Sequence, residues 1–207
     1  MNTSAIIDQV YANVNRTDLT EVMILQFLNN RQDQICNFDN FSFMEESTTE
    51  ATVDGTQAYS LPTDYKDELQ VYLVDDTTKT QLTKWVGSQS EKSFTDTDAD
   101  GKPYAYWVWE DSVTLYPIPD DVYTLTYRYY QYLTDLTNVD TEENELVKRW
   151  PDLMVNGATS DAFHYFHMTD KTSEWETKWG EEFQKLIRRQ GKRRYTNFTL
   201  RLKVRIR

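Results

Sequence analysis

The sequence is poor in cysteine and has no long apolar run. Cys36 is the one cysteine among 207 residues, which excludes an intramolecular disulfide framework and a cysteine-rich zinc site. The longest apolar run is far shorter than a membrane span, and the N-terminus lacks the basic and apolar regions of a signal peptide. We therefore expect a soluble protein that is made and used without secretory export.

The motifs of common catalytic and cofactor sites are absent from the sequence. It contains no P-loop, no G-x-S-x-G or H-E-x-x-H motif and no dinucleotide-binding fingerprint. Residues 96–101 open like a calcium loop, but the twelfth position is Trp107 instead of Glu, which favours a solvated acidic turn. We predict no catalytic residue, no metal site and no cofactor, and therefore not an enzyme.

A set of acids and histidines recurs every three residues in a helical segment: Asp161, His164, His167 and Asp170. This spacing brings successive side chains near one another on a helix, as a metal site needs. The positions drift around the helix, however, and their neighbours are aromatic, so ordinary packing is the favoured interpretation.

The sequence is rich in aromatic residues, and its charge is unevenly distributed along the chain. It holds 14 Tyr and six Trp, whose apolar bodies and polar tips suit partly hydrated interfaces. The net charge is −12, yet residues 188–207 hold nine cations and no acid. Such asymmetry indicates a tail with its own partner, or one that docks on the acidic body of a neighbour. The acidic remainder should repel nucleic acid, so we do not expect the body to bind DNA tightly.

Helical periodicity appears at both ends of the chain. Apolar residues spaced three and four apart predict helices over residues 3–15 and 19–36. The pattern returns near Glu142 and continues into a last helix over residues 173–190, with Gly191 as its stop. One side of this last helix carries a stripe that we predict to pack between subunits: Trp175, Trp179 and Phe183.

The region between these helices, residues 39–135, is rich in strand patterns. Five or six short strands at roughly ten-residue spacing favour a small sandwich or barrel. Residues 104–109 and 112–116 flank a two-residue turn, which predicts a hairpin. In the strand over residues 122–130, one alternate set is the predicted core face: Tyr123, Leu125, Tyr127 and Tyr129.

These elements together predict an α+β protein. Its N- and C-terminal helices form a helical bundle, into which a small antiparallel β sandwich or barrel is inserted, and an extended strand-like tail follows. The predicted parts are a discontinuous helical domain of residues 1–38 and 140–190, a β insert of residues 39–139, and a basic extended tail of residues 191–207.

The tail alternates strictly between apolar and polar side chains from Phe198 to the end, which is a strong strand signal. Such a strand could pair with the chain's own β insert, add to another subunit or partner, or bind nucleic acid. Strand addition to a partner is favoured, because a DNA-binding tail needs cations but no apolar stripe. The predicted partner-binding residues are Arg193, Arg194, Tyr195, Phe198, Leu200, Arg201, Leu202, Lys203, Val204, Arg205, Ile206 and Arg207.

Several phrases, taken in order, carry a resemblance to a known family. The opening helical pair is joined by residues 16–18, and residues 55–65 read G-x-x-x-Y-x-L-P-x-D-Y. The predicted hairpin lies within residues 103–119, which begin P-Y and end L-Y-P-I-P. The next strand is residues 125–129, and a terminal helical pair that carries the tryptophan stripe follows it. This order resembles the head-to-tail adaptor (connector) family of tailed phages, including its tail tubular protein A type.

The resemblance implies a structural protein of the virion, located at the head-tail junction and assembled in the host cytoplasm. Such an adaptor forms a ring, typically of twelve copies, below the portal protein. The ring extends the DNA channel, through which DNA passes without specific binding, and it offers a docking platform for the next tail or ring protein. No membrane is involved in this role.

Two alternatives stay open at the level of sequence. The β insert could be a carbohydrate-binding or receptor-contacting module that stacks sugars on exposed aromatic rings: Trp107, Trp109, Tyr129 and Tyr130. The abundant acids could also include a glycosidase pair, although acids this frequent form pairs by chance.

Overall fold

The structure is a computed structural model that describes residues 1–86, 99–138 and 144–195. These residues have mixed α and β structure, which confirms the predicted α+β class. The helices are α1 (Thr3–Val14), α2 (Glu21–Phe38), α3 (Glu145–Arg149), α4 (Pro151–Tyr165) and α5 (Thr169–Tyr195). The strands are β1 (Glu45–Ala51), β2 (Ala58–Ser60), β3 (Tyr65–Asp75), β4 (Thr78–Gln81), β5 (Thr83–Lys84), β6 (Ala105–Trp109), β7 (Ser112–Tyr116) and β8 (Thr124–Gln131). The described residues divide into two compact units, a helical unit of residues 1–43 with those from 133 onward, and a β unit of residues 44–132.

Helix α4 lies at the centre of the helical unit and contacts α1, α2 and α5. A helix that is covered on several sides is apolar or small nearly all round, and α4 has this character. Pro151 occupies its first turn, where the missing N–H costs no helical hydrogen bond. Its buried residues are Leu153, Met154, Val155, Gly157, Ala158, Thr159, Ser160, Ala162 and Phe163.

Side-chain amides of α2 hold the segment that follows the β unit. Asn29 donates from Nδ2 to the Leu136 carbonyl at 3.2 Å and accepts from the Leu136 N–H at 2.7 Å. The fully buried Gln32 donates to the Thr134 carbonyl at 2.9 Å and accepts from Asn144 Nδ2 at 2.5 Å. Since buried amides need partners for both their donors and their acceptor, this segment has a fixed path along α2.

The β unit consists of two four-stranded sheets, ordered β1-β8-β3-β4 and β2-β7-β6-β5. β6 and β7 form the predicted hairpin, whose turn residue Glu110 has a φ of 50°. Both sheets contribute to one core: Tyr59, Val71, Leu73, Leu82, Tyr106, Val113, Leu115, Leu125, Tyr127 and Tyr129. The predicted core face of the last strand is confirmed, with Leu125, Tyr127 and Tyr129 buried and Tyr123 partly buried against them.

The last helix differs from the prediction at both ends. It begins at Thr169 and continues through Gly191 to Tyr195, so residues 191–195 are helical and not extended. A glycine in a helix interior costs about 1 kcal/mol relative to alanine, and the surrounding Gln, Lys and Arg residues are good helix formers that offset this cost. The alternating tail itself, residues 196–207, lies outside the described residues.

Candidate interaction surfaces

A buried arginine joins three helices of the helical unit. Arg31 on α2 donates from Nε and Nη2 to the two carboxylate oxygens of Asp161 on α4, at 2.8 and 2.7 Å. It also donates from Nη2 and Nη1 to the two oxygens of Glu176 on α5, at 2.7 and 3.2 Å. The Arg31 side chain is 8% exposed, against 28% for Asp161 and 45% for Glu176. Such two-point hydrogen bonds fix the geometry of the three helices as well as balancing the charge.

The same guanidinium lies over an aromatic ring. Arg31 Cζ is 4.5 Å from the ring centroid of Trp179, which stacks on Phe183 with 5.0 Å between the centroids. Gly157 of α4 lies against both: a Cβ at this position would come 2.9 Å from Trp179 Cδ1 and 3.0 Å from Arg31 Cγ. The close approach of α4 to α2 and α5 therefore depends on the missing side chain of Gly157.

Stability of the helical unit should depend on pH through Glu176. Burial raises the pKa of Glu176, but hydrogen bonds from Arg31 and Ser160 outweigh burial and hold the pKa below its ordinary value of 4.5. The Glu176 carboxylate therefore binds a proton more tightly in the unfolded state than in the folded state. Its contribution to the free energy of unfolding is fully present above about pH 4.5, and it is lost as the pH falls through the lower pKa of the folded state. We expect Glu176→Gln to be less sensitive to acid than the unsubstituted protein in thermal unfolding.

The matched control for this pH series is Glu181→Gln, which changes an exposed residue of the same helix. It should unfold with the pH dependence of the unsubstituted protein. Equal acid sensitivity in Glu176→Gln and the unsubstituted protein would show that the carboxylate of Glu176 does not contribute.

An open cleft of about 570 Å³ lies beside the arginine cluster. Its rim carries the aromatic pair Phe27 and Tyr165, with 6.2 Å between the ring centroids, and Tyr165 is 57% exposed. Asn30, Gln34 and His164 add exposed polar groups. Aromatic rings beside amides are typical of protein contact surfaces.

The longest sheet edge among the described strands is β1, with seven residues against four, three and two for β4, β2 and β5. Six of its seven side chains are exposed. The register of β1 with β8 aligns Glu46 with Tyr129 and Glu50 with Leu125. Since paired residues of antiparallel strands share a face, both carboxylates lie on the core-facing side of the sheet, at its open rim. No sequence pattern marks this edge, because residues 45–51 have no apolar alternation.

The predicted inter-subunit stripe divides into buried and accessible members. Trp179 and Phe183 are 8% and 9% exposed and pack inside the helical unit, where Phe38 meets Phe183 edge-on at 4.9 Å between centroids. Trp175 is partly exposed, and Lys178 Nζ lies 4.0 Å from the centroid of its ring. Contact with another subunit through this stripe remains a prediction, and Trp175 is its most accessible member.

The four aromatic rings of the carbohydrate hypothesis differ in their exposure to solvent. Tyr129 is 3% exposed and donates to Asp64 Oδ1 at 3.0 Å, and burial with this hydrogen bond raises its pKa to about 12. Trp107 and Tyr130 are partly buried, whereas Trp109 is 69% exposed beside the β6–β7 turn. Tyr129 is therefore a core residue, and its ring is not available to stack on a sugar.

The acid and histidine set does not lie on one helix. Asp161 on α4 is bonded to Arg31, His167 follows the end of α4 with a φ of 57°, and Asp170 belongs to α5. Within residues 1–86, 99–138 and 144–195, no three His, Cys, Asp or Glu side chains are arranged to hold a metal ion. Half of the calcium-like segment, residues 96–98, lies outside the described part of the chain. None of the helices in those ranges is both long and apolar enough to span a membrane.

Comparison with protein families gives a match over almost the whole chain. The family described as SU10 adaptor protein matches residues 1–205. No curated protein matches the chain. The family match covers both the helical unit and the β unit, and so includes the arginine cluster and the β1 edge.

Proposed function

Because the chain belongs to the SU10 adaptor protein family, whose members are structural adaptor proteins of phages, we propose that it joins head to tail as a ring below the portal. The ring, of about twelve copies by the resemblance described above, extends the DNA channel and provides the platform on which the next tail protein docks. The observation that carries this proposal is the family match over residues 1–205.

The charge distribution supports a channel role. A net charge of −12 gives the protein a field that repels DNA, so DNA can pass the ring without adhering to it. The same charge disfavours specific binding of nucleic acid by the body of the protein. We further propose, from the family, a place in the virion after assembly in the host cytoplasm.

We assign the tail, residues 196–207, the role of an assembly clamp. Its strict alternation gives it one apolar and one cationic face when it is extended. A strand of this kind gains its ladder hydrogen bonds by adding to a sheet edge of a neighbouring subunit or of the portal. Residues 193–195 stand at the end of α5, from which the tail departs.

Ending the chain after Tyr195 should abolish docking to the portal. The cut coincides with the end of α5, so the helical and β units should keep their circular dichroism and thermal stability. Electron microscopy or native mass spectrometry of the protein mixed with portal protein measures docking. A full-length variant with Gln in place of four cations separates the contribution of charge to docking from that of backbone hydrogen bonds. The four cations are Arg201, Lys203, Arg205 and Arg207.

Two outcomes count against different parts of the proposal. Normal docking by the truncated chain would remove the clamp but leave the adaptor role. Persistent monomers of the full-length chain in the presence of portal protein would contradict the adaptor role itself.

A further inference from the structure

We propose that the tail of one copy adds as a fifth strand to the free edge of β1 in a second copy. This inference rests on the proposed function, in which the tail is an assembly segment. The occupant is residues 200–207, outside the described residues, and the acceptor is the seven-residue edge strand of the β unit.

The backbone of β1 can accept another strand. Just after β1 the Thr52 N–H donates to the Tyr123 carbonyl at 2.8 Å, so the odd-numbered residues of β1 direct their ladder groups to the open side. There the Ser47 N–H donates to the neighbouring Glu46 Oε1 at 2.9 Å. The N–H and C=O of one antiparallel strand residue point to the same side, and this alternates along the strand. Alternate residues of β1 therefore face an incoming strand, over about 24 Å at 3.4 Å per residue. Eight residues of tail are long enough to cover that edge.

Two of the three carboxylates of β1 lie on one side of the strand, and the third, Glu45 at its start, lies on the other. Glu46 and Glu50 lie four residues apart on the core-facing side, at the rim. On the other side Ser47 pairs with Arg128, whose guanidinium lies 5.6 Å from the ring centroid of Tyr72. An added strand is therefore directed to place its cations beside the carboxylates and away from Arg128.

The tail repeats the spacing of those carboxylates with opposite charge. Arg201 and Arg205 are four residues apart, with Lys203 between them. When Lys203 lies opposite Thr48, the two arginines face the two carboxylates of β1 whether the strands run parallel or antiparallel. The apolar residues of the tail then lie on the other face, where a neighbouring subunit can cover them.

Other pairings of the exposed edges are disfavoured by charge. Two copies of β1 placed side by side would bring their glutamates together, which opposes a symmetric dimer through this edge. The opposite edge strand of the same sheet, β4, carries Lys79 and no acid, so it repels a cationic strand. The acids of β1 thus keep its edge from general association while accepting a basic strand.

Cysteine cross-linking between two differently tagged preparations tests the pairing. One preparation carries Thr48→Cys and the other carries Lys203→Cys, and the native Cys36 is fully buried. Mixed under assembly conditions and oxidised, they should give a cross-linked heterodimer on a denaturing gel. The matched control places the cysteine on β4 as Thr80→Cys, which lies on an edge strand and is more exposed than Thr48, and it should still cross-link far less.

Charge exchange gives a second test that does not depend on disulfide geometry. Reversing both carboxylates, as Glu46→Lys with Glu50→Lys, should reduce the cross-link several-fold. Reversing the tail as well, as Arg201→Glu with Arg205→Glu, should restore it.

Two results would overturn the inference: no heterodimer, or an equal yield when Thr80→Cys replaces Thr48→Cys. If these occur while truncation after Tyr195 still abolishes portal docking, the clamp of the proposed function stands and its acceptor is not β1. If the truncated chain docks normally, the clamp fails independently of the cross-linking result.

Discussion

Replacing Arg31 with alanine is expected to lower the free energy of unfolding by about 3 kcal/mol, the lower end of the range for a buried pair, because water reaches the two carboxylates that are left. Removing one partner of a buried ion pair leaves the other charges without compensation, and here Asp161 and Glu176 would both lose two hydrogen bonds. The variant also loses the contact with the Trp179 ring. Urea unfolding followed by tryptophan fluorescence and by circular dichroism measures the change.

The matched control is Arg16→Ala, since Arg16 also forms a two-point pair, with Asp18 at 2.8 and 2.7 Å. Its two side chains are 41% and 53% exposed, so the loss of stability should be much smaller than that of Arg31→Ala. A loss of similar size in the two variants would show that the burial of Arg31 is not what makes it important.

A triple variant separates the charge from the packing. Replacing Arg31, Asp161 and Glu176 together with apolar residues of similar size removes every charge of the cluster at once. Because apolar replacement of a whole buried cluster is often neutral or stabilising, this variant should be more stable than Arg31→Ala. The reverse order would indicate that the cluster stabilises the unit beyond the cost of leaving its members unpaired.

Gly157→Ala is expected to destabilise the helical unit by about 1–3 kcal/mol, although alanine is the better helix former. The added Cβ would lie 2.9 Å from Trp179 Cδ1 and 3.0 and 3.1 Å from Arg31 Cγ and Cδ. Neither neighbour is the free end of a flexible chain, because the Trp179 ring stacks on Phe183 and the Arg31 guanidinium is bonded to two carboxylates. Thermal unfolding measures the change.

Gly180→Ala should have the opposite sign. Gly180 lies in α5, and a Cβ there meets no atom within 4 Å, so the gain in helix propensity of about 0.5–1 kcal/mol is not offset by a clash. Destabilisation by both substitutions, or stabilisation by both, would contradict the assignment of Gly157 as a packing glycine.

The sequence predicted elements well where apolar spacing is strong. The helical and strand regions, the hairpin turn and the buried face of Leu125, Tyr127 and Tyr129 follow from local periodicity. Arg31 stands in the apolar stripe of α2, which marks it as unusual, but its partners lie 130 and 145 residues away. A local pattern carries no information about pairings at that distance.

Strand β1 and the end of the last helix could not be predicted from the spacing of apolar residues. β1 is exposed on nearly all its residues, so it has no apolar set to reveal its period. Gly191 has the residue type of a helix stop, but its neighbours favour the helix more strongly than a single glycine opposes it. β1 is held by its pairing with β8, which its own residues do not reveal, whereas the helix end depends on weighing one glycine against several helix-forming neighbours.

The division of the chain has a consequence for the order of events during synthesis. The β unit is one continuous stretch, residues 44–132, so all its strands are available before the next helix is made. The helical unit cannot close at that stage, because α1 and α2 pack on α4, which begins at Pro151. Domains tend to fold as units while the chain emerges from the ribosome. The β unit should therefore fold during synthesis, before α4 is available for α1 and α2 to pack against.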